Sequence, residues 1–188
     1  DSSLSLRPME RIVNPLNLMN AKIDTNSGKI PVKIYGNELK NTEIEIDIPS
    51  AQIKSGLILA ALNTKGATKI IEKYTTRNHT EIMLESFEAN IDLKKNDNKT
   101  EITIIGKKEL TPKNIDVPAD LSSSAFFIVA ALINKNSEIT LKNININPTR
   151  NGILIALKKM GANIKIINNR FINNENVADL KVKSSQLN

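Results

Sequence analysis

A short polar stretch between two apolar segments offers the clearest place in this chain for anion chemistry. Ser50, Ala51 and Gln52 stand between a predicted strand (43–48) and a run of helix formers (54–62). The first turn of a helix leaves backbone N–H groups without partners and carries the positive end of the helix dipole, so a phosphate or carboxylate is well received there. Ser50 suits a helix cap, and Gln52 carries a donor and an acceptor. Because an ordinary capped helix shows the same pattern, other features must decide.

Arginines at equivalent places are the second such feature. Arg7, Arg77 and Arg150 each stand at the start of the second predicted helix of a repeated segment. A cation there opposes the helix dipole by about 0.3–1 kcal/mol, whereas an anion held between the guanidinium and the helix N–H groups turns that conflict into attraction. Pairing with a neighbouring carboxylate, or simple exposure to water, would also explain each arginine. The arrangement favours a small anionic ligand, more at Arg7 and Arg77 than at Arg150.

Further polar residues have structural explanations beside functional ones. His79 could be a general acid or a ligand contact, but a hydrogen-bonded structural histidine is the favoured interpretation. Asp120, followed by the serines at 122–124, is typical of a helix cap, and Glu81 also fits a capping role. The sequence shows no Gly-rich phosphate loop, paired-carboxylate motif or Ser–His–Asp order. It therefore indicates binding groups rather than a complete catalytic set.

Composition excludes several classes of function. The 188 residues suffice for one domain or two small ones, and the core must be aliphatic because there are four Phe, two Tyr and no Trp. The absence of cysteine excludes disulfides, thiolate metal sites and a Cys nucleophile, and a single histidine excludes a His-rich metal site. The net charge of +6 is spread evenly, without a basic tail or an aromatic platform for bases. Small anions are thus better candidate ligands than nucleic acid. Neither a membrane-length apolar run nor a secretory signal is visible.

Short motifs recur at intervals of about 70 residues, which indicates copies of one structural unit. The recurring motifs are Met19-Asn20-Ala21-Lys22-Ile23, Phe87-Glu88-Ala89-Asn90-Ile91 and Met160-Gly161-Ala162-Asn163-Ile164; Ala60-Ala61-Leu62 and Ala130-Ala131-Leu132; and Thr76-Arg77-Asn78 and Thr149-Arg150-Asn151. The repeat predicts an α/β (α+β) fold of βαβαββ units: the end of a first unit (1–36), a second unit (43–106) and a third unit (113–183). A chain built this way is expected to begin before Asp1.

Apolar periodicity predicts the individual elements. The predicted helices are 7–19, 51–63, 78–87, 122–133 and 148–160, and the predicted strands are 21–23, 31–35, 43–48, 68–72, 90–93, 101–105, 114–117, 138–141, 163–167 and 179–182. Residues 1–6 are predicted as a loop and 96–98 as a turn. Pro15 is expected to kink its helix, and Thr75 and Thr76 to cap the helix that follows them. Asn20 and Gly161 suit left-handed helix ends, whereas a left-handed Glu88 costs about 1 kcal/mol, so another terminator or mild strain is expected there.

At these positions the sequence resembles the 5-enolpyruvylshikimate-3-phosphate synthases, or 3-phosphoshikimate 1-carboxyvinyltransferases. The motifs that carry the resemblance are Ser3-Leu4 with Arg7-Pro8-Met9, Pro49-Ser50-Ala51-Gln52-Ile53-Lys54-Ser55, Thr76-Arg77-Asn78-His79-Thr80-Glu81, Asp120 with Ser122-Ser123-Ser124-Ala125-Phe126-Phe127, and Asn147-Pro148-Thr149-Arg150-Asn151-Gly152. They follow the family's order and span nearly the whole chain. Together they form a specific signature.

The resemblance implies the enolpyruvyl transferase fold, in which two domains of three βαβαββ units enclose the active site. Residues 1–188 then correspond to part of one domain, with one partial and two complete units. The family transfers the enolpyruvyl group of phosphoenolpyruvate to the 5-hydroxyl of shikimate 3-phosphate, in the shikimate pathway of aromatic amino acid biosynthesis. The catalytic Asp, Glu and Lys of the family belong to its second domain. The chain alone is therefore expected to be an inactive fragment without catalytic residues of its own.

The resemblance also assigns binding residues. Ser50, Ala51, Gln52, Thr76 and Arg77 are expected to bind shikimate 3-phosphate. Phosphoenolpyruvate is expected at Arg7 and Gln52. The family implies no metal or organic cofactor, no nucleic-acid or membrane partner, a monomer at full length and a cytoplasmic location.

Two alternatives stay open at this point. The related enolpyruvyl transferase acting on UDP-N-acetylglucosamine shares the fold. Its reactive cysteine would lie upstream of this chain or near its start, so the lack of cysteine is partial evidence against it. The stretch Thr76-Arg77-Asn78-His79-Thr80-Glu81 argues against it more strongly. A non-enzymatic, basic βαβαββ module that binds RNA is the alternative from another class. Salt-dependent binding to random RNA, without a response to shikimate 3-phosphate, would favour it.

Overall fold

The computed structural model describes residues 2–96 and 99–188 and divides into two compact units, Asp1–Pro112 and Lys113–Asn188. The division falls where the third βαβαββ segment is predicted to start. Of the turn predicted at 96–98, Asp97 and Asn98 lie outside the described residues. The elements in chain order are α1 (Ser2–Ser5), α2 (Glu10–Leu18), β1 (Lys22–Asn26), β2 (Lys29–Tyr35), β3 (Glu43–Ile46), α3 (Ala51–Ala61), β4 (Ala67–Glu72), α4 (His79–Ser86), β5 (Ile91–Asn96), β6 (Lys99–Ile105), α5 (Leu121–Ile133), β7 (Glu138–Asn145), α6 (Gly152–Lys159), β8 (Asn163–Ile172) and β9 (Glu175–Lys183).

The first compact unit is built around a four-stranded sheet in the order β3-β4-β6-β5. Strands β3 and β4 run parallel, as the crossover through α3 requires, and the other two pairs are antiparallel. Ile70 of β4 lies opposite Ile102 of β6, and both are fully buried. Helix α3 covers this face with Leu57 and Ile58, which are also fully buried. The βαβαββ order predicted for the second segment is confirmed.

The chain before this sheet ends in a β-hairpin. Ser27 and Gly28 have φ values of 49° and 75°, which are the left-handed conformations that a two-residue hairpin turn between β1 and β2 needs. Two expectations were wrong here. The predicted loop at 1–6 contains the one-turn helix α1, and α2 begins at Glu10 rather than at residue 7. Pro15 lies inside α2, and the helix continues past it.

The second compact unit holds a three-stranded antiparallel sheet in the order β7-β9-β8, covered by α5 and α6. The strand predicted at 114–117 does not form, and a single parallel bridge between Ala119 and Ile144 takes its place. Val117 is 87% exposed, so no apolar burial draws the segment onto the sheet. The Asn173 side chain holds it instead, accepting from the Asp116 N–H at 3.1 Å and donating to the Asn114 carbonyl at 2.9 Å.

Helix ends explain how the repeated units turn from helix to strand. Asn20 and Gly161 have φ values of 67° and 86°, so both predicted left-handed ends are confirmed. Glu88 occupies the equivalent position in the second repeat and has a φ of 61°, so it adopts the strained left-handed conformation itself. Two contacts hold it there: the Thr111 hydroxyl donates to its Oε2 at 2.9 Å, and the Lys108 ammonium donates to its carbonyl. Within residues 2–96 and 99–188, every helix is too short or too polar to cross a lipid bilayer.

Strands β7, β8 and β9 are longer than predicted because they continue through irregular pairings. The register shifts between Leu141 and Ile144 and between Ile167 and Arg170. Asparagines occupy these shifts in the left-handed region, with φ 56° at Asn143 and 51° at Asn168, a conformation that Asn tolerates better than most residues. Alternation of apolar and polar residues breaks at such points, so the pattern ended the predicted strands early.

Asp179 of β9 holds the two irregular pairings together. Its carboxylate accepts from the Asn168 amide at 2.9 Å, from the Asn143 N–H at 2.9 Å and from Arg170 Nη2 at 3.1 Å. These hydrogen bonds and the Arg170 charge lower the pKa of Asp179 to about 2. The charged form of this buried carboxylate is therefore a structural part of the sheet.

We expect acid to weaken the chain through Asp179. A folded-state pKa of about 2, below the ordinary 3.8, means that the unfolded chain binds the proton more readily. The stabilisation is present above the unfolded pKa and is lost as the pH falls from about 4 towards 2. At neutral pH the Asp179→Asn variant should have a lower free energy of unfolding than the unaltered chain. In urea unfolding between about pH 4 and pH 2, the stability of the variant should fall less steeply with pH than that of the unaltered chain. Equal pH slopes for the two proteins would contradict this assignment.

Candidate anion-binding site

The starts of helices α3 and α4 border an open pocket in the first compact unit. Its volume is about 440 Å³. The residues that line it are Ala51, Gln52, Ser55, Gly56, Leu59, Arg77, His79 and Thr80. The pocket thus brings together three of the residues predicted from sequence, Ala51, Gln52 and Arg77.

Helix α3 presents its N-terminus at this pocket. Ser50 is its N-cap, with extended backbone (φ −138°, ψ 108°), and its hydroxyl accepts from the Ile53 N–H at 3.4 Å. Ser50 does not line the pocket, so its hydroxyl serves the helix itself in this structure. Gln52, the second helical residue, is exposed. The N–H groups of the first turn and the Gln52 amide are the groups of α3 that a ligand can reach.

Arg77 belongs to the segment that joins β4 to α4. Thr76, the residue before Arg77, is held by Glu72 of β4. Its backbone N–H donates to Glu72 Oε1 at 3.0 Å, and its hydroxyl donates to the same oxygen. The expectation that Thr75 and Thr76 cap the next helix was wrong, because the N-cap is Asn78, without a side-chain capping bond. Thr76 turns inward while the exposed Arg77 reaches the pocket. Among the described residues, Arg77 forms no ion pair.

The pocket wall includes residues that the sequence argument missed. Ser55 and Leu59 follow Gln52 at helical spacing on α3, so the periodicity of one helix face could have identified them. The hydroxyls of Ser55 and Thr80 lie 2.7 Å apart and join α3 to α4. Gly56 permits a close helix contact, since a Cβ there would lie 3.1 Å from Ile12 Cδ1 of α2.

Charged side chains are also buried on the other side of α3. The Lys54 ammonium lies 2.8 Å from Glu81 Oε1 and 3.2 Å from Glu72 Oε1, and each of the three side chains is at most 4% exposed. We call Lys54, Glu72 and Glu81 the ion triad. It joins α3, the end of β4 and the first turn of α4, which are the elements that carry the pocket residues.

Arg7 lies apart from this pocket. It follows α1, its backbone N–H donates to the Leu4 carbonyl at 3.1 Å, and its side chain is exposed. It is not among the pocket-lining residues. The structure therefore brings Gln52 and Arg77 together without Arg7.

A larger hollow in the same unit, of about 800 Å³, is less suited to an anion. Lys73 lines it, but carboxylates already neutralise its ammonium, at 2.7 Å from Glu45 Oε1 and 2.6 Å from Asp47 Oδ1. The guanidinium of Arg77 carries no such neighbour among the described residues. Lys95 and Lys99 also line the larger hollow, but so does the Glu45 carboxylate, whereas the lining of the smaller pocket contains no carboxylate. The smaller pocket is therefore the better candidate.

The equivalent place in the second compact unit is closed. Asp120 caps α5, accepting from the N–H groups of Ser122 and Ser123 at 3.2 Å each. Arg150 Nη2 lies 2.6 Å from Asp120 Oδ1 and donates to the Ser122 hydroxyl at 3.0 Å. Partial burial alone would raise the pKa of Asp120, but these hydrogen bonds and the Arg150 charge outweigh it, so the pKa lies below its ordinary value. Arg150 has the carboxylate partner that the sequence argument left open.

Chemically, the pocket offers a guanidinium, an imidazole, an amide and a helix N-terminus, and its lining contains no carboxylate. Such a set attracts phosphate and carboxylate groups and orients them by hydrogen bonds. Paired acid and base groups, which proton transfer would need, are not part of the lining. The arrangement is that of a binding surface for an anion.

Comparison with known proteins shows the family of the chain. A family model described as EPSP synthase (3-phosphoshikimate 1-carboxyvinyltransferase) matches residues 1–188. The chain is 46% identical over 188 residues to the 3-phosphoshikimate 1-carboxyvinyltransferase of Thermoanaerobacter sp. (strain X514), covering 100% of the chain and 44% of that protein. The protein of the same name from Ruthia magnifica subsp. Calyptogena magnifica is 47% identical over 188 residues, with 100% and 42% covered.

A solved structure gives the same result in three dimensions. The EPSP synthase from Acinetobacter baumannii superposes with a TM-score of 0.83 at 44% identity, over 98% of this chain and 41% of that one. The predicted fold class is confirmed. The chain spans less than half the length of the relatives that it matches.

Proposed function

The chain belongs to the EPSP synthase (3-phosphoshikimate 1-carboxyvinyltransferase) family, and on that premise we propose that it is part of an enolpyruvyl transferase. The enzyme would transfer the enolpyruvyl group of phosphoenolpyruvate to the 5-hydroxyl of shikimate 3-phosphate, releasing phosphate. The observation that carries the proposal is Arg77, which reaches the pocket at the start of α3 without an ion-pair partner among the described residues.

In this proposal the pocket holds shikimate 3-phosphate. Arg77 and the first-turn N–H groups of α3 would share its phosphate, because a guanidinium and a helix N-terminus both complement that dianion. Gln52 would hydrogen-bond both reactants, and Arg7 would bind phosphoenolpyruvate. Ser50 and Thr76 would act mainly by shaping the two segments, given where their hydroxyls donate and accept.

The reaction needs the 5-hydroxyl oxygen to attack the enolpyruvyl carbon while the methylene carbon takes a proton. Loss of phosphate from the tetrahedral adduct, together with one proton of the new methyl group, then restores the double bond and gives the enol ether. The residues of this chain would contribute by fixing the two anions in position, which removes orientational freedom before the bond forms. We assign no general acid or base among them.

The test is a titration of the 188-residue chain with shikimate 3-phosphate, followed by NMR, for the unaltered protein and for Arg77→Ala. We expect binding near millimolar, about 4 kcal/mol, because only part of the family's binding surface is involved. Loss of a charged hydrogen-bonding partner should weaken it roughly tenfold or more. Because Arg77 is exposed and forms no ion pair among the described residues, its truncation should leave the thermal midpoint unaltered.

Matched ligands decide between this function and its alternatives. Shikimate without the phosphate should bind far more weakly, and UDP-N-acetylglucosamine should not compete. Equal binding of shikimate and shikimate 3-phosphate would contradict a phosphate site at Arg77. Salt-dependent binding of an RNA oligomer, with no response to shikimate 3-phosphate, would instead support the nucleic-acid module.

A further inference from the structure

The ion triad has no obvious structural necessity. Lys54 is 1% exposed, Glu72 4% and Glu81 2%, so three ionisable side chains have left water. Burying charges costs several kcal/mol per ion, and replacing a buried ion pair by well-packed apolar groups is often neutral or stabilising. Stability alone therefore does not explain why this junction is charged.

The repeat supplies an internal comparison. The positions equivalent to the triad in the second compact unit are Ser124, Asn145 and Leu154. They occupy the same places: the fourth residue of α5, the last of β7 and the third of α6. That unit makes the same junction without a buried ammonium, and its Leu154 is simply packed in the core at 3% exposure. Its Asn145 donates to Glu175 Oε2 at 3.0 Å, so that junction contains a carboxylate. The junction between helix, strand and helix thus does not need a buried ammonium in order to fold.

Both compact units hold the threonine that precedes the arginine: in the second unit, Asn147 Oδ1 accepts the backbone N–H of Thr149 at 2.8 Å and its hydroxyl at 2.7 Å. The triad differs because the group that holds the threonine is a carboxylate paired with a buried ammonium of the preceding helix. Glu72 Oε1 accepts both the backbone N–H and the hydroxyl of Thr76, the residue before Arg77. The same carboxylate contacts the Lys54 ammonium through both oxygens, at 3.2 and 3.3 Å. Lys54 stands two residues after Gln52 on α3. One continuous chain of contacts therefore links the backbone at Gln52 with the backbone at Arg77.

Glu81 adds a second carboxylate contact to Lys54, from helix α4. It is the third residue of α4, next to Thr80 of the pocket wall, and its Oε1 lies 2.8 Å from the Lys54 ammonium. Lys54 is held by carboxylates from β4 and α4 at once, so α3 can shift against neither element without separating opposite charges. In a low-dielectric interior such a separation costs more than a slip between apolar side chains.

We propose that the ion triad is a positioning device for the anion pocket: it fixes the spacing between the α3 N-terminus and Arg77. The inference rests on the proposed function, because the spacing matters only if both elements grip one anion. Lys54, Glu72 and Glu81 are positioning residues that act through Thr76, Arg77 and α3. In the second compact unit Arg150 pairs with Asp120 at the equivalent place, and Ser124, Asn145 and Leu154 stand at the triad positions.

The decisive variant places at the triad positions the uncharged residues that stand at the equivalent positions of the second compact unit. Lys54→Ser, Glu72→Asn and Glu81→Leu together convert the triad to the residues of the second compact unit, and no unpaired charge remains buried. We expect the triple variant to fold with a thermal midpoint close to that of the unaltered chain. Its affinity for shikimate 3-phosphate, measured by NMR titration, should fall roughly tenfold, a typical size for coupled residues. Amide exchange at Thr76 should be faster, reporting the released segment.

A double-mutant cycle with Arg77→Ala separates positioning from general structural damage. If the triad acts through Arg77, the triple change should weaken binding in the unaltered background and hardly at all once Arg77 is truncated. Unaltered affinity of the triple variant, or equal losses in the two backgrounds, would overturn the inference. Should the triple variant fail to fold, Thr76→Val in the same cycle removes the hydroxyl link to Glu72 alone, and the same two outcomes decide.

The result also distinguishes this inference from the function beneath it. If the unaltered chain does not bind shikimate 3-phosphate, both fail. If binding depends on Arg77 but not on the triad, the proposed function stands and only the positioning role is rejected.

Discussion

Truncation of Gln52 to Ala, in an enzyme of full family length that carries this segment, is expected to lower kcat/KM about 100-fold, because misplaced reactants cost rates of this order. Gln52 is exposed at the second position of α3 and lines the pocket. No hydrogen bond from its side chain supports the fold among the described residues. The loss should therefore fall on the reaction, and the thermal midpoint should not move.

Steady-state kinetics with both substrates varied would check this result. Gln52→Glu is the informative companion: it keeps the shape, loses the donor and adds a negative charge beside an anion, so it should be worse than Ala. Asn17→Ala is a matched control, since Asn17 is an exposed amide on α2 that does not line the pocket. Kinetics like those of the unaltered enzyme would remove Gln52 from the site.

The largest loss of stability is expected from Gly106→Ala. A Cβ at this position would lie 2.3 Å from the Thr64 carbonyl oxygen and 2.4 Å from the Ala61 carbonyl oxygen. Both are backbone atoms, one at the last residue of α3 and one in the turn that follows it, so no side chain can turn aside. Overpacking against backbone should reduce the free energy of unfolding by at least about 3 kcal/mol.

Urea unfolding of the variant measures this loss. Gly36→Ala provides the control, because a Cβ at Gly36 meets no atom within 4 Å. Its effect should stay within about 0.5 kcal/mol, as for most surface changes. If Gly106→Ala proved as mild as Gly36→Ala, the close approach of β6 to the end of α3 would be contradicted.

Much of the fold followed from periodicity and from the repeat. Helix α3 was predicted to start at Ala51, and it does, because a strand-ending proline and a capping serine precede a run of helix formers. The strand predicted at 114–117 does not form, because a strand there depends on packing rather than on local signals. Its apolar residues suggest a strand, but Val117 has nothing to pack against, and burial depends on neighbours that local sequence does not reveal.

The candidate site was only partly accessible to such reasoning. Gln52 and Arg77 could be placed together because each stands at a helix start in the same unit. Thr76 was expected at the ligand, yet its hydroxyl turns to Glu72. The full burial of Lys54 was not foreseeable, since a lysine on a helix is usually exposed and only the two facing carboxylates make its burial tolerable. Contacts between side chains of different helices and strands were thus the hardest features to predict from one sequence.

The carboxylate of Asp120 also has a consequence for competition among ligands. A group tethered to the same chain meets its binding partners at an effective concentration set by geometry, commonly in the millimolar range or above. A free metabolite at α5 would have to displace a carboxylate that never diffuses away from Arg150, 2.6 Å distant. Two similar helix starts within one chain thus differ in competition: at α5 an anion from solution competes with a carboxylate of the same chain, whereas the residues that line the pocket at α3 include no carboxylate.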